Sequence, residues 1–347
     1  MSIRKGPGNP KGVPRSIGVS YFGNRILRHV AADMEGLAAD GFTGVLHTFT
    51  ENDLAYYRET MGRIVEASHA AGLEVQIAPW AVCQMFGGEA ESRFTAFNPD
   101  AGQVLDDGRA TPAGCPNNPA VRAFVRSWAD AAIDTGADHV FWDEPHWVHP
   151  DHFGLDPARW GCRCRHCQGR FAERNGGAAM PAELTPEVLA FRQECLVDFI
   201  ADLVGHCNRQ GAATTVCLLP LTGGVHGLPD WAPMAALPGL GTLATDPYWK
   251  AFGEPARPFV RRFSELVARL AADNGIGGQI WIQGFRMEPS DEADIHAAVA
   301  AARAAGIQDL WTWGYEACGH MSALAGGDPA AVWKVLRDAL TGRSGAG

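Results

Sequence analysis

Two adjacent carboxylates, Asp143 and Glu144, stand at the end of an apolar segment that begins at His139. Such a segment favours a buried strand, and a buried strand rarely ends in two acidic residues for structural reasons alone. A carboxyl pair can supply acid and base to a hydrolytic reaction, because repulsion between two close carboxylates raises the pKa of one of them. A helix cap or a salt bridge to an arginine is the structural alternative.

Other acidic and aromatic residues follow apolar segments in the same way. Asp246 closes such a segment, whereas Glu316 lies two or three residues past one, where a loop or salt-bridge role is an equal alternative. Carboxylates together with flat rings suit a carbohydrate site, since carboxylates cleave glycosidic bonds and the rings present broad apolar faces. The catalytic candidates are Glu144, Asp246, Asp143 and Glu316; the substrate-binding candidates are Tyr21, His47, Trp80, His146, Tyr248, Trp249, Gln283, Arg286 and Trp313.

Three thiols, Cys162, Cys164 and Cys167, fall within six residues. Short turns can direct several sulfurs at one point, so this spacing suits tetrahedral zinc. Cys115, in another long loop, is expected to be the fourth ligand, with His166 as its competitor. Four thiolates leave no open coordination position, so the sequence predicts a structural Zn²⁺ that pins the two long loops together. Free thiols are the alternative.

Short apolar segments alternate with Ala-rich amphipathic helices, which is the pattern of repeated β–α units. The segment after the first strand lacks the glycine-rich phosphate loop common in an open doubly wound sheet. We therefore predict an α/β fold, a single (β/α)8 TIM barrel with long loops after strands three and four, whose strand ends carry the candidate residues. The predicted strands are 17–22, 44–49, 73–80, 139–143, 214–219, 242–246, 279–284 and 309–314.

The predicted barrel takes up residues 16–341, including an insertion at about 146–186, with flexible ends at 1–15 and 342–347. A net charge of −10 argues against a nucleic-acid surface. No segment approaches the roughly 18 apolar residues of a membrane span. The N-terminus lacks the apolar stretch of a secretory signal, so we expect a cytoplasmic protein with no disulfide framework. Assembly into a homo-oligomer stays open.

Two segments resemble those of the β-galactosidases of glycoside hydrolase family 42. Cys115 to Arg122 matches the family's Cys-Pro-Asn-x-Pro-x-x-Arg segment, and Cys162 to Phe171 matches its Cys-x-Cys-x-x-Cys-x-x-x-Phe segment. In that family these cysteines bind one zinc. The resemblance covers roughly residues 110–175, and it implies an acid/base role for Glu144. The family's nucleophile, a glutamate that ends strand seven, is replaced here by Gln283.

These residues predict a glycoside hydrolase that acts on a small glycoside or oligosaccharide. Glu144 is expected to donate the proton, with Asp246 or Glu316 as the second carboxylate. Asp246 is favoured, because strand six lies two places from strand four in the ring whereas strand eight lies opposite. Asp143 either raises the pKa of Glu144 or is itself the nucleophile. A sugar lyase or isomerase on the same barrel and a non-catalytic carbohydrate-binding barrel are the alternatives.

Overall fold

The computed structural model describes residues 16–221 and 228–342, so the predicted flexible ends 1–15 and 342–347 lie outside the described residues except for Gly342. Eight of the described strands close into a barrel in the order β1-β2-β3-β6-β7-β8-β9-β10, while β4 and β5 form a separate antiparallel hairpin. The strands are β1 (Ile17–Tyr21), β2 (Gly44–Thr48), β3 (Glu74–Ala78), β4 (Gly102–Val104), β5 (Ala110–Gly114), β6 (His139–Asp143), β7 (Ala213–Leu218), β8 (Thr242–Thr245), β9 (Gly277–Gln283) and β10 (Asp309–Trp313).

Helices follow the barrel strands, as the alternating pattern predicts. They are α1 (Leu27–Asp40), α2 (Glu51–Tyr56), α3 (Arg58–Ala70), α4 (Arg93–Phe97), α5 (Pro119–Asp134), α6 (Arg165–Arg174), α7 (Pro186–Arg209), α8 (Ala232–Ala235), α9 (Ala256–Asn274), α10 (Glu292–Ala304) and α11 (Pro329–Thr341). The prediction of a (β/α)8 barrel is confirmed, and each predicted strand is present within two residues of its expected bounds.

The described residues divide into two compact units. The first comprises 16–47, 67–75 and 240–342, and the second comprises 48–66, 76–221 and 228–239. The Asp143–Glu144 pair and the four predicted zinc ligands all belong to the second unit. Asp246, Gln283 and the residues that follow β10 belong to the first.

In the first unit, two tryptophans fill the inner face of the barrel. Tyr21 donates a hydrogen bond from its hydroxyl to Asp33 on α1, so its side chain faces outward. Gly18, three residues earlier in the strand, therefore faces the interior of the barrel. The Trp311 ring lies over Gly18, where an added Cβ would be 2.2 Å from the ring. Trp281 packs against Trp311 with ring centroids 5.4 Å apart. Both rings therefore lie inside the barrel and not between its strands and the surrounding helices.

In the second unit, the first long loop folds into the hairpin β4–β5, which the sequence did not predict. Leu105 and Ala113 of this loop form a small apolar core with Val148 from the insertion after β6. The backbone N–H of Val148 also donates to the side-chain oxygen of Gln103 at 3.1 Å. The two long loops thus support each other through packing and a buried hydrogen bond.

Candidate functional site

Left-handed backbone conformations concentrate beyond the carboxyl ends of the barrel strands. A non-glycine residue with positive φ costs on the order of 1–3 kcal/mol, and such residues cluster at functional sites. Among the described residues, every non-glycine residue with positive φ follows β3, β6, β9 or β10: Ala81, Cys83, Gln84, Glu144, Arg286, Glu316, Ala317 and Cys318. This distribution marks the loops after the strands as the functional face.

The acidic pair of Asp143 and Glu144 converges on one point of the second unit. Successive residues of a strand point to opposite faces, but Glu144 has φ 42° and turns the chain just after β6. As a result, Oε2 of Glu144 and Oδ2 of Asp143 lie 2.6 and 3.2 Å from the position that a Cβ on Gly87 would occupy. Only a glycine at residue 87 leaves room for both carboxylates.

Backbone hydrogen bonds hold this arrangement in place. The N–H of Gly87 donates to the carbonyl oxygen of Asp143 at 3.0 Å, and the N–H of Glu144 donates to the carbonyl oxygen of Cys217 at 3.0 Å. The acidic pair is therefore fixed between the loop after β3 and strand β7.

Burial favours the protonated form of Asp143. Asp143 is only 9% exposed, and burial raises the pKa of its carboxyl well above its usual range. The negative charges of Glu144 and Glu89 raise the pKa of Asp143 further. Burial and these two charges thus favour the protonated form of Asp143, which lies beside the partly exposed side chain of Glu144.

Two of the predicted substrate-binding residues lie close to this pair. Trp80 donates from its indole nitrogen to Glu89 at 3.0 Å, and its ring covers Gly88, where a Cβ would clash. The Nδ1 atom of His146 lies 2.6 Å from the carbonyl oxygen of Glu144. The sequence interpretation missed Glu89, whose only signal was an acidic residue directly after two glycines in the loop that follows β3.

In the first unit, Asp246 lies directly after β8 and is 3% exposed. The ring of Trp249 is also buried, at 2% exposure, so it offers little surface to a sugar. Tyr248 packs edge-on against Phe285, with ring centroids 5.0 Å apart. Asp246 is therefore the buried carboxylate of this segment, whereas the two aromatic candidates contribute packing.

The side-chain amide of Gln283 binds backbone groups of two loops. Its oxygen accepts from the N–H of Lys250 at 3.0 Å, and its nitrogen donates to the carbonyl oxygen of Phe285 at 3.1 Å. A glutamate could not make the second bond, which explains why an amide suits this position. Arg286 is exposed and donates to the carbonyl oxygen of Ala323 at 3.1 Å.

Tyr21 and His47 direct their polar atoms toward helices of the first unit. His47 bonds through Nε2 to the hydroxyl of Ser68 on α3 at 2.9 Å, and burial lowers the pKa of its imidazole to about 3. Burial and the hydrogen bond with Asp33 raise the pKa of the Tyr21 hydroxyl. These contacts favour a structural role for both residues.

Trp313 and Glu316 differ in their exposure at the end of β10. Trp313 is buried and stacks on Phe22 with ring centroids 5.2 Å apart. Glu316 is exposed, in a left-handed backbone conformation. An exposed carboxylate is the weaker candidate for a group whose pKa must depart from its usual value.

The cysteine cluster, formed by Cys115, Cys162, Cys164 and Cys167, is buried in the second unit. All four Sγ atoms lie within 4.8 Å of one another. Cys115 Sγ is 3.5 Å from the sulfur atoms of both Cys164 and Cys167. His166, the competing ligand, instead accepts a hydrogen bond from Arg165 through Nε2. The chain therefore brings together the four thiols that the sequence interpretation selected, in a group that could hold a metal ion.

The surroundings of the cysteine cluster suit thiolates. The N–H of Val104 and the side-chain amide of Asn117 donate to sulfurs of the cluster, at 3.4 Å to Cys162 and 3.3 Å to Cys167. The buried guanidinium of Arg192 has its pKa lowered to about 9 by burial, an effect that the negative charges of Cys162 and Cys167 oppose. A buried cation and N–H donors both compensate the negative charge that four metal-bound thiolates would carry.

Comparison with known proteins shows the fold. No protein-family model matches the chain, and no curated protein is similar to it in sequence. An endo-1,4-beta-mannanase from Rhizomucor miehei is 10% identical over 96% of this chain and 97% of its own, with a TM-score of 0.62. The endo-beta-1,4-mannanase from Thermotoga petrophila is 9% identical over 95% and 78%, with a TM-score of 0.58. The protein GH5_18 from Streptomyces cattleya, in complex with GlcNAc, is 14% identical over 95% and 81%, with a TM-score of 0.56.

These similarities support the barrel and leave the family open. The resemblance to family 42 stays a prediction that rests on the two cysteine segments. Within residues 16–221 and 228–342, no helix combines the length and the apolar character needed to cross a bilayer.

Proposed function

We propose that the protein is a glycoside hydrolase whose proton-transfer chemistry depends on Asp143 and Glu144. The observation that carries this proposal is the convergence of both carboxyl groups over Gly87, together with the burial that favours the protonated form of Asp143. Glycosidic hydrolysis requires one carboxyl group that donates a proton to the leaving oxygen and a second one that acts as base or nucleophile. In this proposal the acidic pair supplies the proton donor.

Exposure suggests how the pair divides its work. Asp143 is the more buried carboxyl, and burial favours its protonated form, while Glu144 is partly exposed and lies nearer to solvent. In our proposal Glu144 contacts the glycosidic oxygen and the proton stored in the pair reaches the substrate through it. Glu144 thereby keeps the acid/base role that the resemblance to family 42 implies, and Asp143 becomes the residue that sets the protonation of the pair.

Asp246 is the proposed second carboxylate of the reaction, ahead of Glu316. It is buried directly after a barrel strand, the position from which barrel enzymes direct their catalytic groups. Glu316 is exposed, and an exposed carboxylate is the weaker candidate for a group whose pKa must depart from its usual value. Asp246→Asn and Glu316→Gln, measured in parallel on the same substrate, would separate them, since only the first is expected to abolish turnover.

The proposed substrate is a small glycoside or oligosaccharide. The similar structures include two β-1,4-mannanases and a protein solved with GlcNAc, so manno-oligosaccharides and N-acetylglucosaminides are the first compounds to test. Trp80 is partly exposed beside Glu89, and its ring is the proposed surface on which a sugar stacks.

Mass analysis of the products in heavy-oxygen water tests the reaction class. Hydrolysis incorporates one oxygen from the solvent into the released sugar, whereas a lyase produces an unsaturated product without it. An isomerase changes no mass. Release of sugar with incorporated oxygen by the wild-type protein, and its loss in Glu144→Gln, supports the proposal. An unsaturated product, or no turnover across α- and β-linked aryl glycosides and oligosaccharides, contradicts it.

We further assign the cysteine cluster to a structural Zn²⁺. Four thiolates suit zinc and leave no coordination position for a substrate. Cys162 and Cys164 precede α6 in the insertion after β6, and Cys167 lies within that helix. The ion would therefore fasten the hairpin to the insertion, next to the strand that carries the acidic pair, and would take no part in the reaction.

Glu89→Gln is expected to shift the alkaline limb of the pH–rate profile to lower pH. The charge of Glu89 is one of the causes that raise the pKa of Asp143, and its removal lets Asp143 lose its proton at a lower pH. Activity should be little changed at acidic pH, where the pair is protonated in both proteins, and lower than wild type as the pH rises. A full pH profile of kcat/KM measures this shift.

Glu91→Gln is the matched control for Glu89→Gln. It removes one exposed carboxylate two residues further along the same loop, and Glu91 is not among the groups that raise the pKa of Asp143. If both variants move the alkaline limb equally, the shift reflects net charge, and the specific contribution of Glu89 is refuted.

A further inference from the structure

A second group of metal-binding side chains lies in the insertion after β6. His149, Asp151 and His152 each direct one ligand atom to a common region, and these atoms lie within 4.8 Å of one another. The rings of His149 and His152 are stacked, with centroids 5.0 Å apart and an angle of 14° between their planes. We call these three residues the histidine turn.

The backbone of the histidine turn is well supported. Pro150 to Phe153 form one turn of 3-10 helix, in which side chains three residues apart lie above each other. The N–H of His152 donates to the carbonyl oxygen of His149 at 3.1 Å, and the N–H of Leu155 donates to the carbonyl oxygen of Pro150 at 2.9 Å. These bonds fix the spacing of the two imidazoles before any ion arrives.

Apolar contacts fasten the same turn to the hairpin. Phe153 and Leu155, on either side of Gly154, pack against the core of Leu105, Ala113 and Val148. These apolar contacts hold the histidine turn against the hairpin, while Asp151 and His152 stay exposed to solvent. This combination of a supported backbone and accessible ligands lets an ion bind without refolding the loop.

We propose that the histidine turn binds one divalent transition-metal ion of borderline softness, such as Zn²⁺ or Co²⁺. Two imidazoles and one carboxylate favour these ions over Mg²⁺ and Ca²⁺, which prefer oxygen ligands. Metal–ligand bonds of about 2.0–2.2 Å require the three atoms to approach slightly, and the exposed side chains can do so by small rotations. Water fills the remaining positions, so this ion exchanges readily, unlike one enclosed by the cysteine cluster.

The site is separate from both centres described above. It shares no ligand with the cysteine cluster, and neither Asp143 nor Glu144 is among its ligands. His146 lies between the turn and Glu144, since its ring is 4.9 Å from that of His149 and its Nδ1 bonds to the carbonyl oxygen of Glu144. The proposal therefore stands independently of the proposed glycosidase activity.

Titration of the purified, zinc-loaded protein with Co²⁺ tests this inference. Calorimetry should show one equivalent of Co²⁺ bound by the wild-type chain. Affinity should fall at least about tenfold in His149→Ala, in His152→Ala and in Asp151→Asn, since loss of a ligand costs at least as much as loss of a supporting residue. His296→Ala is the matched control, because His296 is an exposed histidine beside a single carboxylate, Glu292, at 3.8 Å.

Absorption spectra distinguish the two metal centres during this titration. Co²⁺ that enters the cysteine cluster produces sulfur-to-metal charge-transfer bands, whereas Co²⁺ on the histidine turn does not. The proposal is supported if one equivalent of Co²⁺ binds without producing these bands. This binding should be retained in His296→Ala and weakened in the three variants of the histidine turn. Absence of Co²⁺ binding outside the cysteine cluster, or binding that the turn variants leave unchanged, overturns it.

Discussion

Glu144→Gln is expected to lower kcat on an unactivated oligosaccharide by a factor of about 10²–10⁴, the usual contribution of general acid catalysis. The substitution keeps the size of the side chain and its position near Gly87 but removes the ionisable proton. Aryl glycosides with activated leaving groups should lose much less, because such groups depart without protonation. Turnover of both substrate types, measured with the same enzyme preparation, provides the comparison.

Asp143→Asn should cause a loss of similar size for a different reason. The variant removes the buried carboxyl whose protonated form burial favours, so Glu144 loses the neighbour from which we propose that its proton comes. Because the two residues act as one unit, the double variant should be little worse than either single variant. Near-normal turnover of Glu144→Gln on a natural substrate, together with a large loss in Asp143→Asn, would transfer the proton-donor role to Asp143.

Unchanged unfolding temperatures would show that these losses are chemical. Both replacements are isosteric, and Asp143→Asn removes a carboxyl whose ionised form is costly when buried. The folded state should therefore tolerate each change. A variant that is inactive because it has unfolded would be identified by its thermal transition and by its circular dichroism.

The barrel was predictable because its signal is repeated along the whole chain. Each β–α unit combines a short apolar segment, an amphipathic helix and a closing glycine. Six glycines that stand between a helix and the next strand have positive φ, the left-handed conformation in which many helices end: Gly41, Gly72, Gly136, Gly211, Gly275 and Gly306. An error of one or two residues in the predicted bounds of a strand does not change the number or the order of the strands in the barrel.

Side-chain direction was less predictable at the strand ends. Tyr21 and His47 occupy the right positions along their strands, but their partners Asp33 and Ser68 lie on helices. A strand places successive residues on opposite faces, so a one-residue uncertainty in the strand end exchanges inward and outward candidates. The same uncertainty between inward and outward positions applies to Trp281, whose ring packs against Trp311 inside the barrel.

The convergence of Asp143 and Glu144 depends on features that no periodic pattern encodes. The left-handed φ of Glu144 turns the second carboxylate toward the first. Gly87, more than 50 residues earlier in the chain, leaves the space for both. Adjacent acidic residues could be recognised from sequence, whereas the loop that receives them and the charge of Glu89 required the three-dimensional arrangement.

Purified protein is expected to contain about one zinc per chain, and Cys162→Ala is expected to lose it. Structural zinc contributes on the order of 10 kcal/mol to the folding of small domains, so its removal should unfold the segment that depends on it. That segment consists of the hairpin β4–β5 and α6, which the cysteine cluster joins. The barrel strands keep their own hydrogen bonds and should remain folded. Elemental analysis measures the loss of zinc. Amide hydrogen exchange measures the local unfolding, which should appear as lost protection confined to 102–114 and 165–174.

Cys207→Ala separates loss of the metal from loss of a buried thiol. Cys207 is buried on α7 and is not part of the cysteine cluster, so the same truncation there should leave the zinc content unchanged. Core truncation alone costs stability throughout the cooperative unit, whereas loss of a metal ligand should expose only the residues that the ion holds together. Zinc well below one per chain in the wild-type protein, or full zinc retention in Cys162→Ala, would show that the four thiols pack together without binding a metal.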